Sequence, residues 1–132
     1  MNEAVLRDRA KLQGRIFRRA VMTGLDAEAF TKAFMTSEQA KWLDFFGDSI
    51  ECMGEAYILD EILSVCFVSP KKEEICYCLA EWVGYTYRMW CDSEKISSDE
   101  AFSRVSFKRM VELYPVLNAM CTQRVTEILN RQ

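Results

Sequence analysis

The run Ile75-Cys76-Tyr77-Cys78-Leu79-Ala80-Glu81-Trp82-Val83-Gly84-Tyr85-Thr86-Tyr87-Arg88-Met89-Trp90 decides the fold class of this chain. It carries two charges, Glu81 and Arg88, among five aromatic rings, and its apolar residues fall on every side of a 3.6-residue repeat. A helix with no wet stripe has to be covered by its neighbours. Just upstream, Ser69 followed by Pro70 has the form of an N-cap with proline at the first helical position. The spacing therefore predicts one long central helix over residues 70–92.

Outward toward the N-terminus, residues 49–67 read as a helix opened by Asp48 or Ser49. There Met53, Ala56, Tyr57, Leu63 and Phe67 alternate with Glu51, Glu55, Asp60 and Glu61, giving an acidic polar face. Before it, Thr36 with Gln39 forms a capping box for residues 37–46, which stop at Gly47. Asp26 caps a short helix lined by Ala27, Phe30 and Phe34. Residues 3–22 form an amphipathic helix on Leu6, Ala10, Leu12, Ile16, Phe17 and Val21, closed by Gly24.

Outward toward the C-terminus, residues 92–96 connect to a short helix for which Ser97 and Glu100 make a second capping box. Ser106 caps another that ends near Tyr114. Pro115 restarts the chain, and Leu117, Cys121, Val125 and Ile128 or Leu129 mark a last helix. The sequence has no strand-like alternation longer than a few residues, no internal repeat, no low-complexity stretch and no Pro/Gly/Ser-rich linker.

Of the 132 residues, 50% are hydrophobic and 28% charged, with only five glycines and two prolines. An all-β domain of this length needs a turn residue every eight to twelve positions or so. The expectation is one all-α domain over residues 1–132: a compact orthogonal bundle of six to eight helices around the apolar helix at about 70–92. Leu63, Phe67, Leu79, Trp82, Val83, Met89, Phe107 and Leu117 are its expected core. No apolar run suits a bilayer crossing, and charges occupy the place of a signal peptide's greasy segment, so a cytoplasmic protein is expected. The six cysteines, Cys52, Cys66, Cys76, Cys78, Cys91 and Cys121, then read mostly as free thiols in the core.

The zero histidine count excludes Ser-His-Asp triads, Cys-His pairs and histidine-bound metals. Paired Cys-x-x-Cys knuckles are absent, and Cys76 and Cys78 lie about 200° apart around a helix that contains both. Cys91, near Arg88 and Lys95, is the best candidate for a reactive thiol. The glycines are isolated from one another, and the carboxylates Glu51, Glu55, Asp60 and Glu61 read as a wet face. No catalytic residue, metal or cofactor is expected, and the chain is read as a non-enzyme.

Two binding readings remain. Glu81 and Arg88 are seven residues apart on one face of the central helix. With Tyr85 and Tyr87 they make a partner-facing patch of the residue types that dominate binding hot spots, or else they pair with neighbouring helices to fix the packing. The alternative is nucleic acid. Net charge is −3, yet residues 1–20 carry six basic side chains against two acidic ones. Arg7, Lys11, Arg15, Arg18 and Arg19 could follow a phosphate backbone, or dock on the acidic helix at 49–67.

The stretch from Glu81 to Trp90, the pair Ser97-Ser98, and the run Phe107-Lys108-Arg109-Met110-Val111-Glu112-Leu113-Tyr114-Pro115 resemble small all-α bacterial proteins encoded beside toxin-antitoxin-like cassettes. Some of those cassettes carry ADP-ribosyltransferase-like toxins. The resemblance covers residues 75–118 and implies a cytoplasmic accessory or antitoxin-like protein that binds another protein, a toxin or an enzyme. Such proteins often carry a histidine shortly after the tyrosine-proline step, where this chain has Leu117 and Asn118.

Overall fold

The computed structural model describes residues 2–46 and 54–132. The described residues form eight helices: α1 (Glu3–Met22), α2 (Ala27–Met35), α3 (Glu38–Phe46), α4 (Glu55–Val65), α5 (Tyr77–Glu94), α6 (Ser98–Arg104), α7 (Phe107–Leu117) and α8 (Thr122–Asn130). No strand is present among them, only an isolated bridge between Leu25 and Pro70. The expected all-α bundle is the fold.

Its axis is a helix pair, α1 against α5. The two backbones meet at Gly14 and Gly84. A methyl group on Gly14 would stand 2.9 Å from the Glu81 carbonyl, and one on Gly84 would stand 2.7 Å from the Phe17 ring and 2.8 Å from the Gln13 carbonyl. Only glycine allows this approach. Around the crossing Ile16, Phe17, Ala20, Phe30, Phe34, Val83, Tyr87 and Trp90 are buried, and Phe17 meets both Phe30 and Phe34 edge to face at 5.4 and 5.2 Å. The remaining helices wrap this pair.

Local signals place most helix starts. Asp26 caps α2 by accepting from Ala29 N, Ser97 caps α6 through Glu100 N, and Ser106 caps α7 through Arg109 N. At α3 the capping side chain is Ser37, which accepts from Ala40 N, while the Thr36 hydroxyl turns back to Lys32 O. The expected cap therefore shifts by one residue.

Four expectations are corrected. Ser69-Pro70 opens no helix, and α5 starts seven residues later, at Tyr77. Residues 71–74 are all exposed, so a helical turn there would bury nothing. Their backbone is instead held beside α2: Asp26 N donates to Ser69 O, Lys71 N to Gly24 O, and Lys72 N to the Asp26 carboxylate. Second, the acidic helix is shorter than residues 49–67. It runs Glu55–Val65, with its expected start outside the described residues, and it leaves Leu63 and Phe67 in solvent. Third, Pro115 lies within α7, and the chain breaks after Leu117 instead. Two residues from the helix end, proline removes only one terminal hydrogen bond. Fourth, the thiols are mostly not core: Cys66, Cys76, Cys78 and Cys121 are exposed and Cys91 is buried, while Cys52 lies outside the described residues.

Val83, Met89, Phe107 and Leu117 are buried as expected, and Leu79 and Trp82 pack on the core from its edge.

Candidate functional site

The densest chemistry lies where α1, α3, α5 and α6 meet. Arg88 of α5 is fully buried at 0% exposure and spreads its guanidinium over four helices' worth of acceptors. Its Nε donates to Gln13 Oε1 at 2.8 Å, its Nη1 to Asp44 Oδ1 at 2.8 Å and Asp92 Oδ1 at 3.4 Å, and its Nη2 to Ser98 Oγ at 2.7 Å. Arg9 of α1, equally buried, grips Asp92 with Nε at 2.8 Å and Nη2 at 3.1 Å and also donates to Leu43 O. Asp44 further accepts from Ser98 N at 2.9 Å and Ser98 Oγ at 2.8 Å. Gln13 closes the set by donating to Gly84 O at 3.0 Å.

Two guanidinium groups thus face two carboxylates, and each carboxylate accepts three hydrogen bonds. Both carboxylates are buried and tied to groups on other helices, so the cluster works as a lock between helices. Above it opens a cleft of about 420 Å³ lined by Leu6, Phe45, Lys95 and Ile96 with Asp44, Cys91, Asp92 and Ser97. Burial pushes the Cys91 thiol in its wall up to about 12, outweighing the attraction of Arg88. A neutral thiol is a poor nucleophile, which removes Cys91 as the candidate reactive cysteine.

This geometry corrects the expected partner-facing patch. Arg88 and Tyr87 are both wholly buried. The Tyr87 hydroxyl donates to Val105 O at 2.5 Å, and its ring lies beside Phe102. Tyr85 is half-buried in the wall of a separate shallow cleft, and Glu81 reaches the surface only to pair with Arg18 at 3.1 Å. Glu81, Tyr85 and Arg88 share one face, but over two turns, roughly 10 Å, that face passes from the surface into the buried junction with α1, α3 and α6, while Tyr87 is turned about 100° away from Arg88. Pairing with adjacent helices, the other account of Glu81 and Arg88, is what the structure contains.

The basic residues of α1 behave otherwise. Arg7, Lys11, Arg15, Arg18 and Arg19 all lie on its exposed side, while Arg9 is drawn inward to the lock. From Arg7 to Arg18 the stripe is roughly 17 Å long. Arg15 and Arg19 reach Glu55 of α4 at 3.6 and 3.8 Å, and Arg18 reaches Glu81. These three line a groove of about 520 Å³ with Met22, Thr23 and the two glutamates. Docking on the acidic helix, weighed from sequence, is therefore part of the structure.

A surface that the sequence reading missed lies on α4. This helix buries only Ile58, Leu59 and Ile62 and turns Ala56, Tyr57, Asp60, Glu61, Leu63, Ser64 and Val65 outward. Val65 is 81% exposed, Phe67 just beyond it 86%, and Phe45 at the end of α3 72%. Asp60 and Glu61 make no ion pair among the described residues. The signal was present: residues 56–67 have more apolar positions than one buried stripe can use.

Among the described residues no group of three or more Cys, Asp or Glu side chains is arranged to hold a metal ion. No described helix is long and apolar enough to cross a membrane. The chain matches no protein-family model, no curated protein and no solved structure.

Proposed function

We propose that this chain is a non-enzymatic, cytoplasmic protein-binding accessory protein of the antitoxin or immunity-inhibitor type. It presents the exposed positions of α4 and the residues just beyond it, Tyr57, Leu63, Val65 and Phe67 with Asp60 and Glu61, to a toxin or enzyme. The exposure of that aromatic and aliphatic face on a helix with only three buried residues is the observation that carries the reading. Large apolar side chains left in water mark interaction surfaces, and Asp60 and Glu61, without ion pairs among the described residues, select a partner whose apolar cleft has a basic rim. The engagement of Arg88, Asp44 and Asp92 in ties between helices supports a structural role for these buried charges.

The test is affinity purification of the tagged protein from its host, with nuclease added to half of each sample. It compares the parent with a Tyr57→Ala/Phe67→Ser variant and an Asp60→Lys/Glu61→Lys variant. One stoichiometric, nuclease-resistant protein, reduced about tenfold or more with both variants, is the expected result. Retention of that protein by both variants would retire α4 as the docking surface.

The exposed stripe of Arg7, Lys11, Arg15, Arg18 and Arg19 favours a second reading, a nucleic-acid-binding regulator. Its mark is a complex with DNA or RNA at low ionic strength that weakens steeply with added salt. Lack of any shift at low salt retires it.

A further inference from the structure

Cys76 and Cys78 stand at the start of α5 in a geometry that their spacing alone does not suggest. Tyr77 between them is the first helical residue, so their Cα atoms are roughly 5.4 Å apart, inside the range that a disulfide bridges. Cys76 itself is outside the helix: its backbone is extended, at φ −59° and ψ 134°, in the capping position. Cys76 makes no capping hydrogen bond with its side chain, but its non-helical backbone takes that side chain off the helix's own 100° repeat, beside the first turn in which Cys78 is the second residue. The opposed placement expected of two cysteines inside one helix is thereby undone.

Both thiols are exposed. Around Cys76 are the backbone N–H groups of Leu79 and Cys78, the Cys78 thiol, and from the neighbouring helix the guanidinium of Arg18; together they hold the Cys76 thiol below its ordinary value, against a smaller opposing effect of burial. The remaining described thiols provide contrasts. Cys121 also stands at the start of a helix, but neither it nor Cys66, both exposed, has a second cysteine within two residues, and Cys91 is sealed in the core.

We infer that Cys76 and Cys78 form a thiol–disulfide exchange site, with Cys76 the attacking sulfur and Cys78 the resolving one, for low-molecular-weight disulfides of the glutathione class. The Cys76 thiolate attacks one sulfur of the oxidised disulfide, forming a mixed disulfide and releasing one small thiolate, which takes a proton. The Cys78 thiol then gives up its proton to water, and its thiolate attacks the Cys76 sulfur. The Cys76–Cys78 bond closes and the second small thiol leaves. Two protein thiols are oxidised and one small disulfide is reduced to two thiols.

The experiment treats the full-length reduced protein with a limiting amount of oxidised glutathione, quenches with acid, and maps every cysteine by mass spectrometry. Iodoacetamide at limiting concentration is run in parallel. The expected result is alkylation of Cys76 about tenfold faster than Cys66 or Cys121, and an internal Cys76–Cys78 disulfide as the glutathione product. In Cys78→Ser the reaction stops with glutathione on Cys76, and in Cys76→Ser the fast phase disappears. Both positions are on the surface, and a thermal melt of each variant checks that the fold is kept. Equal labelling of the exposed thiols, a persistent mixed disulfide in the parent protein, or closure between any other pair would overturn the inference.

Discussion

At the scale of single residues, Gly84 and Arg88 show two ways in which α5 is fixed against α1. Alanine has the higher helix propensity by about 1 kcal/mol, so Gly84→Ala would stabilise an isolated helix. Here the added methyl meets the Phe17 ring at 2.7 Å and a backbone carbonyl at 2.8 Å, and the carbonyl cannot move aside. Overpacking wins, and Gly84→Ala is expected to destabilise by about 1–3 kcal/mol in urea titration. Arg88→Ala leaves Asp44, Gln13 and Ser98 without their shared donor in the interior, with an expected loss of about 3–5 kcal/mol. Arg88→Lys should not restore it, because one ammonium cannot span three acceptors that a planar guanidinium fork reaches together. Urea titration followed by circular dichroism checks both Arg88 variants as well. From sequence, Arg88 is legible as an anomaly in an apolar run, but its partners come from three other helices and leave no mark beside it.

At the scale of elements, capping explains why some boundaries were readable and one was not. Asp26, Ser97 and Ser106 act within three residues of their own position, so the signal is local and the helix follows. Ser69-Pro70 carries an equally good local signal and fails, because the four charged residues after it have no apolar face to bury and Asp26 captures their backbone. Asp26 therefore serves two elements at once. Asp26→Ala is expected to cost about 1–2 kcal/mol, and to loosen residues 69–72 as seen by faster amide exchange at Lys71 and Lys72. Asp26→Asn, whose side-chain oxygen can still accept, should recover most of the loss. Preservation of exchange protection in the alanine variant would show that the bridge between Leu25 and Pro70 holds the segment without the carboxylate.

At the scale of the whole molecule, the interior holds acidic protons that the unfolded chain would release. Burial pushes the Cys91 thiol from its ordinary 9.0 up to about 12, and it drives the Tyr87 phenol well above its ordinary 10.0. Both groups stay neutral in the fold while ionising freely once unfolded, so their contribution is complete below pH 9 and is lost as pH rises from there through the folded values. For Cys91 the loss is about 1.4 kcal/mol per pH unit between 9 and 12. Urea midpoints measured from neutral to strongly alkaline pH should fall from about pH 9 upward. Cys91→Ala should delay the onset toward pH 10, where Tyr87 begins to contribute. A parent midpoint that stays flat through about pH 11 would contradict this account.

The helix class, the positions of most caps, the exposed basic stripe of α1 and the absence of histidine chemistry were all determined by the sequence itself. Each depends on composition or on residues within one or two turns of each other, where spacing is already geometry. The tertiary structure alone decided which charged residues went inside. Arg9 looks no different in sequence from Arg7 and Arg18, and the apolar run around Arg88 does not show its partners, yet Arg9 and Arg88 are locked to Asp44 and Asp92 while Arg7 and Arg18 face water. It also decided that Tyr87 anchors the core while Phe67 and Val65 stand in solvent, and that Cys76 stands ahead of a helix instead of lying within it. Burial and pairing are set by contacts between elements far apart in the chain, and a local pattern fixes a residue's neighbours along its own helix but not the helix that comes to rest against it.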